Sequence, residues 1–214
     1  MKDTYRHKGL RKNLVEELRS KGVDDEKVLD AITKVPRHLF MDTGFVSYAY
    51  KDQAFPIGCG QTISQPYTVA YQTQLLEVKR HCKVLEVGTG SGYQSAVLIE
   101  MGAKVYTIER QRELYLKSQS FLPSIGYKAN FFYGDGYEGL PSYAPFDRIL
   151  ITAGAKEIPE NLKSQLKTGG LMVIPLGDGN SQVMTKLIRK GDEDFEKTEH
   201  GRFVFVPLLK GKSI

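Results

Sequence analysis

Cysteine is scarce in this sequence. Cys59 and Cys82 are the two present, they stand far apart, and they fit no C-x-x-C pattern. A disulfide framework or a thiolate zinc site is therefore not expected. The four histidines, His7, His38, His81 and His200, are scattered without metal-ligand spacing, so no metal is expected. No apolar run approaches membrane-spanning length. Met1 to Leu10 holds no apolar stretch after its basic residues, unlike a signal peptide. The expectation is a cytoplasmic chain with no membrane partner. There is no dense basic tract either. The net charge is +5, but Lys and Arg are interleaved with acids, which reads as a solvated mixed surface and gives no reason to expect a nucleic-acid partner. Internal repeats and low-complexity segments are also missing.

What is present is an ordinary globular composition in 214 residues, enough for one domain with a sizeable core. Leu10, Leu14, Val15 and Leu18 recur at helical spacing, and Gly22 can end that helix. Asp24 or Asp25 can cap a second helix carrying Val28, Leu29 and Ile32, which Pro36 stops. Phe40 to Pro66 lacks periodicity, yet is too rich in aromatic and β-branched residues for disorder; an ordered segment packed against a site is expected. From Thr68 onward strands and helices alternate. Helices are expected at Thr68 to Val78, Gly92 to Met101, Gln111 to Leu122 and Pro159 to Leu166. Strands are expected at Lys83 to Val87, Lys104 to Glu109, Ala129 to Tyr133, Phe146 to Thr152 and Leu171 to Pro175. Gln182 to Arg189 and Arg202 to Val206 read as antiparallel strands joined by a charged turn. The pattern predicts an α/β fold with a mostly parallel sheet, and a ligand beyond the carboxyl ends of its strands. We divide the single expected domain into 1–66, holding N-terminal helices and a substrate segment, and 67–214, a cofactor-binding core.

The stretch Val84-Leu85-Glu86-Val87-Gly88-Thr89-Gly90-Ser91-Gly92-Tyr93 runs a strand into a glycine loop and then a helix. Dinucleotide binding wants G-x-G-x-x-G, but the third position here is Tyr93 and the spacing is G-x-G-x-G. Acidic Glu86 would repel a pyrophosphate and suits the amino group or sulfonium of S-adenosylmethionine. Glu109 ends the next strand and is placed to accept hydrogen bonds from ribose hydroxyls. Asp135, in Gly134-Asp135-Gly136, suits an adenine amino group. Each feature alone also fits a blander account: a tight turn for the glycines, a solvated strand end for Glu109, a plain Asp-Gly turn for Asp135.

The segment Gly58-Cys59-Gly60-Gln61-Thr62-Ile63-Ser64-Gln65-Pro66 closely resembles the G-x-G-Q-T-I-S-Q-P segment of protein-L-isoaspartate O-methyltransferases. Val35-Pro36-Arg37-His38-Leu39-Phe40 looks like that family's V-P-R-H-x-F, and Phe205-Val206-Pro207-Leu208 like its terminal Y-V-P-L. Gly154 stands where an alanine is often seen, and Phe205 where tyrosine is usual. The resemblance implies a Rossmann-like S-adenosylmethionine-dependent methyltransferase fold, with antiparallel C-terminal strands and N-terminal helices. It implies methylation of isoaspartyl carboxylates in peptides and proteins, with S-adenosylhomocysteine as the other product; separately, a monomer is expected.

The resemblance also implies that Ser64 is the active-site hydroxyl, binding substrate as well as facing the donor, and that Gln61, Thr62, Ile63 and Ser64 line the cleft. The cofactor set is completed by Glu86, Gly88, Thr89, Gly90, Gly92, Glu109, Arg110, Asp135 and Gly136. Val206 and Leu208 either wall the substrate cleft or pack as part of a last strand. Three rival readings remain: a methyltransferase for RNA or a small molecule, a cofactor sensor without turnover, and an NAD-dependent oxidoreductase, the last disfavoured by Tyr93.

Overall fold

A computed structural model describes residues 2–213. Helix α1 (Tyr5–Ser20) starts at Thr4, whose hydroxyl accepts from the His7 amide while the His7 ring accepts from the Thr4 amide. Leu14, Val15 and Leu18 are buried, whereas Leu10, on the same stripe, stays 39% exposed. Helix α2 (Glu26–Lys34) is capped by Asp25, which accepts from the Lys27 amide at 2.9 Å, and its face of Val28, Leu29, Ala31 and Ile32 is buried. Pro36 follows, then a 3₁₀ turn at Arg37–Phe40 and another at Thr43–Tyr48. Buried Arg11 ties this region to α1, donating to Asp3 at 2.9 Å and to the Tyr50 hydroxyl at 2.8 Å.

The unperiodic segment contains a small antiparallel hairpin, β1 (Phe55–Gly58) and β2 (Gln61–Ile63). Strands of four and three residues are too short to show a period of two. Helix α3 (Pro66–Leu76) begins two positions before the expected Thr68, because Pro66 fits the first turn of a helix, where its missing N–H costs nothing.

The rest alternates: β3 (Lys83–Val87), α4 (Tyr93–Glu100), β4 (Lys104–Glu109), α5 (Arg112–Ser124), β5 (Asn130–Tyr133), β6 (Phe146–Ile151), α6 (Glu160–Ser164), β7 (Leu166–Leu176), β8 (Gln182–Arg189) and β9 (Phe195–Phe203). The seven strands lie in the order β5-β4-β3-β6-β7-β8-β9; β5 to β7 are parallel, and β8 and β9 antiparallel. This is the expected class. Two strands differ from their sequence reading: β7 starts at Leu166, five positions before the expected Leu171 and on the residue expected to end the preceding helix. The last strand is Phe195–Phe203, not Arg202 to Val206, and it pairs along the whole of β8. It is an edge strand whose outward charges, such as Glu196, Lys197 and Glu199, hide its pairing from a hydrophobicity scan while guarding the edge.

Side chains alternate across the sheet. Leu85 and Val87 join one apolar cluster with Ile149, Ile151 and Leu162, while Val84 joins another with Leu76, Leu98 and Leu150. Helices α1, α2 and α4 share a third with Ile57 and Ile63 of the hairpin, so the hairpin is anchored on the helical layer. Truncating any of these fully buried leucines to alanine costs roughly 2–5 kcal/mol. Strand order reverses between β3 and β6, and the loops leaving the carboxyl ends of those two strands open the crevice used below.

Candidate active site

The loop after β3 is built by the two strands beside it. The Gly88 amide donates to the Ile108 carbonyl at 2.9 Å. The Thr152 hydroxyl, just past β6, donates to the Val87 and Gly88 carbonyls at 2.9 and 2.8 Å. Gly88 has φ +98°, and a Cβ there would overlap that hydroxyl, so the position admits only glycine. Glu109 at the end of β4 accepts from the Gly90 amide at 2.9 Å through one oxygen and from the Gln111 amide at 2.8 Å through the other. Each oxygen keeps a second lone pair, so the carboxylate fixes the loop and still has capacity for a pair of hydroxyls.

A cleft open to solvent lies at this loop. It is lined by Gln61 to Ser64, by Gly88 to Ser91, by Glu109, Arg110 and Gly136, and by Val206 to Leu209. Among the described residues Arg110 is the only cation lining it, and its Nε donates to the Gly211 carbonyl at 3.0 Å. A pyrophosphate would be repelled by the Glu109 carboxylate, whereas an adenosyl group bearing a positive sulfonium would not.

Ser64 follows β2 and faces this cleft, with its hydroxyl free of any hydrogen bond among the described residues. Its backbone is held from below. The Ser64 carbonyl accepts from Arg37 at 3.0 Å. Three positions on, the Tyr67 amide donates to Asp52 at 2.7 Å, and the other Asp52 oxygen accepts from the Gln65 side chain at 2.9 Å and from Lys21 at 2.6 Å. Asp52 therefore caps α3 from outside its own chain segment.

A strap formed by residues 207–213 crosses the carboxyl ends of β4 and β5. Ser213 accepts from the Arg112 amide and donates its own to the Arg110 carbonyl, the Gly211 amide donates to Asp135 at 2.6 Å, and the Tyr133 hydroxyl donates to Ser213. Next to it, residues 206–208 pair with Gly154, which donates to the Val206 carbonyl at 2.8 Å and accepts from the Leu208 amide at 2.7 Å.

A family model described as protein-L-isoaspartate(D-aspartate) O-methyltransferase matches residues 9–213. The chain belongs to this family. A protein-L-isoaspartate O-methyltransferase of Christiangramia forsetii is 60% identical over 214 residues, the whole of both chains. A solved structure named protein-L-isoaspartate O-methyltransferase superposes with a TM-score of 0.82 at 28% identity, covering 92% of this chain and 65% of that one. Another, of a Plasmodium falciparum protein named for the same activity and in complex with S-adenosyl-L-homocysteine, gives 0.81 at 28% identity, over 94% and 99% of the two chains.

Within this methyltransferase the structure brings together most of the residues singled out from sequence. Gln61, Thr62, Ile63, Ser64, Gly88, Thr89, Gly90, Glu109, Arg110, Gly136, Val206 and Leu208 all line the cleft. Three others do not. Glu86 is wholly buried behind the loop, where one oxygen accepts from the Ser95 hydroxyl and the other has no partner; burial pushes its pKa up to about 7. Its side chain shares the sheet face of Val84, away from the cleft. Gly92 has φ +83° at the start of α4, and a Cβ there would strike Leu122, so it serves close packing against α5. Asp135 makes the plain turn, accepting from the Tyr137 amide at 2.9 Å, and spends its other oxygen on the strap. Val206 and Leu208 lie beyond the last strand and wall the cleft, although Leu208 also packs on the core. Sequence reasoning missed Val69, Tyr93, Gln94, Thr152 and Ala153 as lining residues. Thr152 had a signal, since it ends the strand beside the glycine loop; Val69 and Gln94 look like ordinary helix residues.

Proposed function

We propose that this chain transfers the methyl group of S-adenosylmethionine to the free α-carboxylate of L-isoaspartyl residues in peptides and proteins, with Ser64 aiming that carboxylate at the methyl. The observation that carries the proposal is the cleft itself. The partner-free Ser64 hydroxyl and the glycine loop with Glu109 open on the same space. Bound S-adenosylmethionine supplies a methyl carbon already activated by its sulfonium. The chain's own residues then have three tasks. Glu109 receives the ribose hydroxyls on its spare lone pairs, and the Gly88 to Gly90 backbone leaves room for the donor to lie close. Ser64 donates its hydroxyl to one carboxylate oxygen and leaves the other to attack. Val206 and Leu208 cover the reacting groups and exclude water.

An isoaspartyl carboxylate is ionised at neutral pH, so no strong base is required of the protein. Alignment of carboxylate and methyl is what remains, and good alignment is worth roughly 7–11 kcal/mol. The methyl ester then closes to a succinimide, which reopens partly to normal aspartate. We assign Glu86, Gly92 and Asp135 supporting roles behind the cofactor wall.

No helix among the described residues is long and apolar enough to cross a membrane. The proposal includes a monomer acting in the cytoplasm, for which sedimentation of the purified protein and fractionation of cells are the checks. The reaction is tested by incubating the chain with methyl-labelled S-adenosylmethionine and a matched pair of peptides, one isoaspartyl and one aspartyl, beside an RNA control. Label is expected in the isoaspartyl peptide alone. Label in the RNA, or in neither peptide, overturns the reading.

A further inference from the structure

Among the described residues Arg37 is the largest fully buried side chain, and it does not itself line the cleft. Its Nε donates to the Ala49 carbonyl, one terminal nitrogen to the Ser64 carbonyl and the other to the Gln53 carbonyl, each at 3.0 Å. Ala49, Gln53 and Ser64 are three points on one irregular stretch of chain, whose own regular pairing is limited to the β1–β2 hairpin. The guanidinium also lies 5.1 Å from the centre of the Tyr93 ring, and Tyr93 lines the cleft beside the glycine loop. The buried charge is met by carbonyl dipoles and an aromatic face. Asp52, the acid that acts on it, spends its own oxygens on Tyr67, Gln65 and Lys21.

A buried cation is an expensive way to hold a loop, and desolvation draws the Arg37 pKa down to about 10. The geometry explains the choice. A planar guanidinium sends donors in fixed directions from one rigid group, so it can set three carbonyls relative to one another. A lysine in its place keeps the charge but is a single point on a flexible stem.

We infer that Arg37 is a positioning residue for methyl transfer: by binding the carbonyl of Ser64 and two upstream carbonyls, it fixes the direction of the Ser64 hydroxyl relative to the donor wall. The inference rests on the role given to Ser64 above and adds the group that enforces it. Arg37 acts through Ser64 and contacts neither substrate nor donor. A residue that merely holds the fold would give a loss independent of Ser64; a positioning residue gives a loss that vanishes once the hydroxyl is gone.

The test is a double-mutant cycle in kcat with a saturating isoaspartyl peptide, using Arg37→Gln, Ser64→Ala and the double variant, with Arg37→Lys as a second substitution at the same site. S-adenosylhomocysteine affinity and circular dichroism of each variant report the fold and the donor wall. Arg37→Gln and Arg37→Lys are each expected to lower kcat roughly 100-fold, the scale of an ångström-sized misplacement, with a smaller change in peptide KM and S-adenosylhomocysteine affinity within about twofold. In the Ser64→Ala background either change is expected to alter kcat by less than about threefold. Additive losses, or full kcat in Arg37→Gln, overturn the inference. So does a loss of S-adenosylhomocysteine binding that parallels the loss of kcat in both variants. Wild-type transfer to the isoaspartyl peptide is measured first, and its absence is the failure of the reaction reading, separate from that of Arg37.

Discussion

On the donor side of the cleft, Gly88 and Glu109 sit at the ends of strands whose register is fixed pair by pair, from Lys83↔Lys104 to Val87↔Ile108 on one flank and from Val84↔Arg148 to Val87↔Ile151 on the other. On the carboxylate side, Ser64 follows a three-residue strand that pairs only with its hairpin neighbour, and side chains from far along the chain hold it to the rest. The donor wall is a backbone structure. Its turns admit no added volume at Gly88, and Thr152 and Glu109 add side-chain ties to a loop the sheet already holds. The carboxylate wall is a side-chain structure: losing the Arg37 guanidinium frees three carbonyls together, and losing the Asp52 carboxylate frees the Tyr67 amide along with the Gln65 and Lys21 side chains. Geometry that must be accurate can thus be enforced by a sheet or by a few buried polar anchors, and the two respond to mutation differently.

Substitution can break that contrast at graded cost. Gly88→Ala should have the largest effect, because it combines positive φ with overlap on the Thr152 hydroxyl. A loss of about 3 kcal/mol in S-adenosylhomocysteine affinity is expected by calorimetry. Ser64→Ala should leave that affinity within about twofold and cut kcat roughly 100-fold, the usual scale for removing one oriented donor; a matching fall in both quantities would merge the two walls into one unit.

Glu86 sharpens the comparison from behind the donor wall. Its pKa is pushed up to about 7 from the ordinary 4.5, so the native chain holds a proton that the unfolded chain releases as pH rises through that window. Its contribution to stability is complete below pH 4.5 and is lost on the way to pH 7 and above. Glu86→Gln should therefore raise stability by about 2 kcal/mol at pH 8 and by almost nothing at pH 4, read from thermal melts at both values. The smallest effect is expected from Asp52→Ala, about 1 kcal/mol from the lost cap on α3, seen in urea unfolding together with a modest drop in kcat.

The donor wall was the more legible half in sequence. Val84 to Gly92 announces itself because a buried strand, a glycine turn and a helix follow one another within ten residues. Ser64 and its neighbours were visible only through family resemblance, since a hairpin of four and three residues has no period and its anchors come from Arg37 and Asp52. The side on which Glu86 falls depends on strand pleat and on Ser95, nine positions away. Asp135 finds its second partner in Gly211, and no local pattern reveals a bond across 76 positions. Strand β9 was misplaced because charge on an exposed edge carries no hydrophobic rhythm.

The segment that bridges Arg110, Tyr133 and Asp135 belongs to none of the sheet's strands, yet it anchors the stretch Pro207 to Leu209 that lines the crevice. A truncated chain ending at Phe203 would keep every named strand and helix and the serine, but would lose the lining residues Val206 to Leu209. Removing residues 204–213 is consequently expected to weaken S-adenosylhomocysteine retention, read by calorimetry, while circular dichroism of the sheet and helices stays as it was.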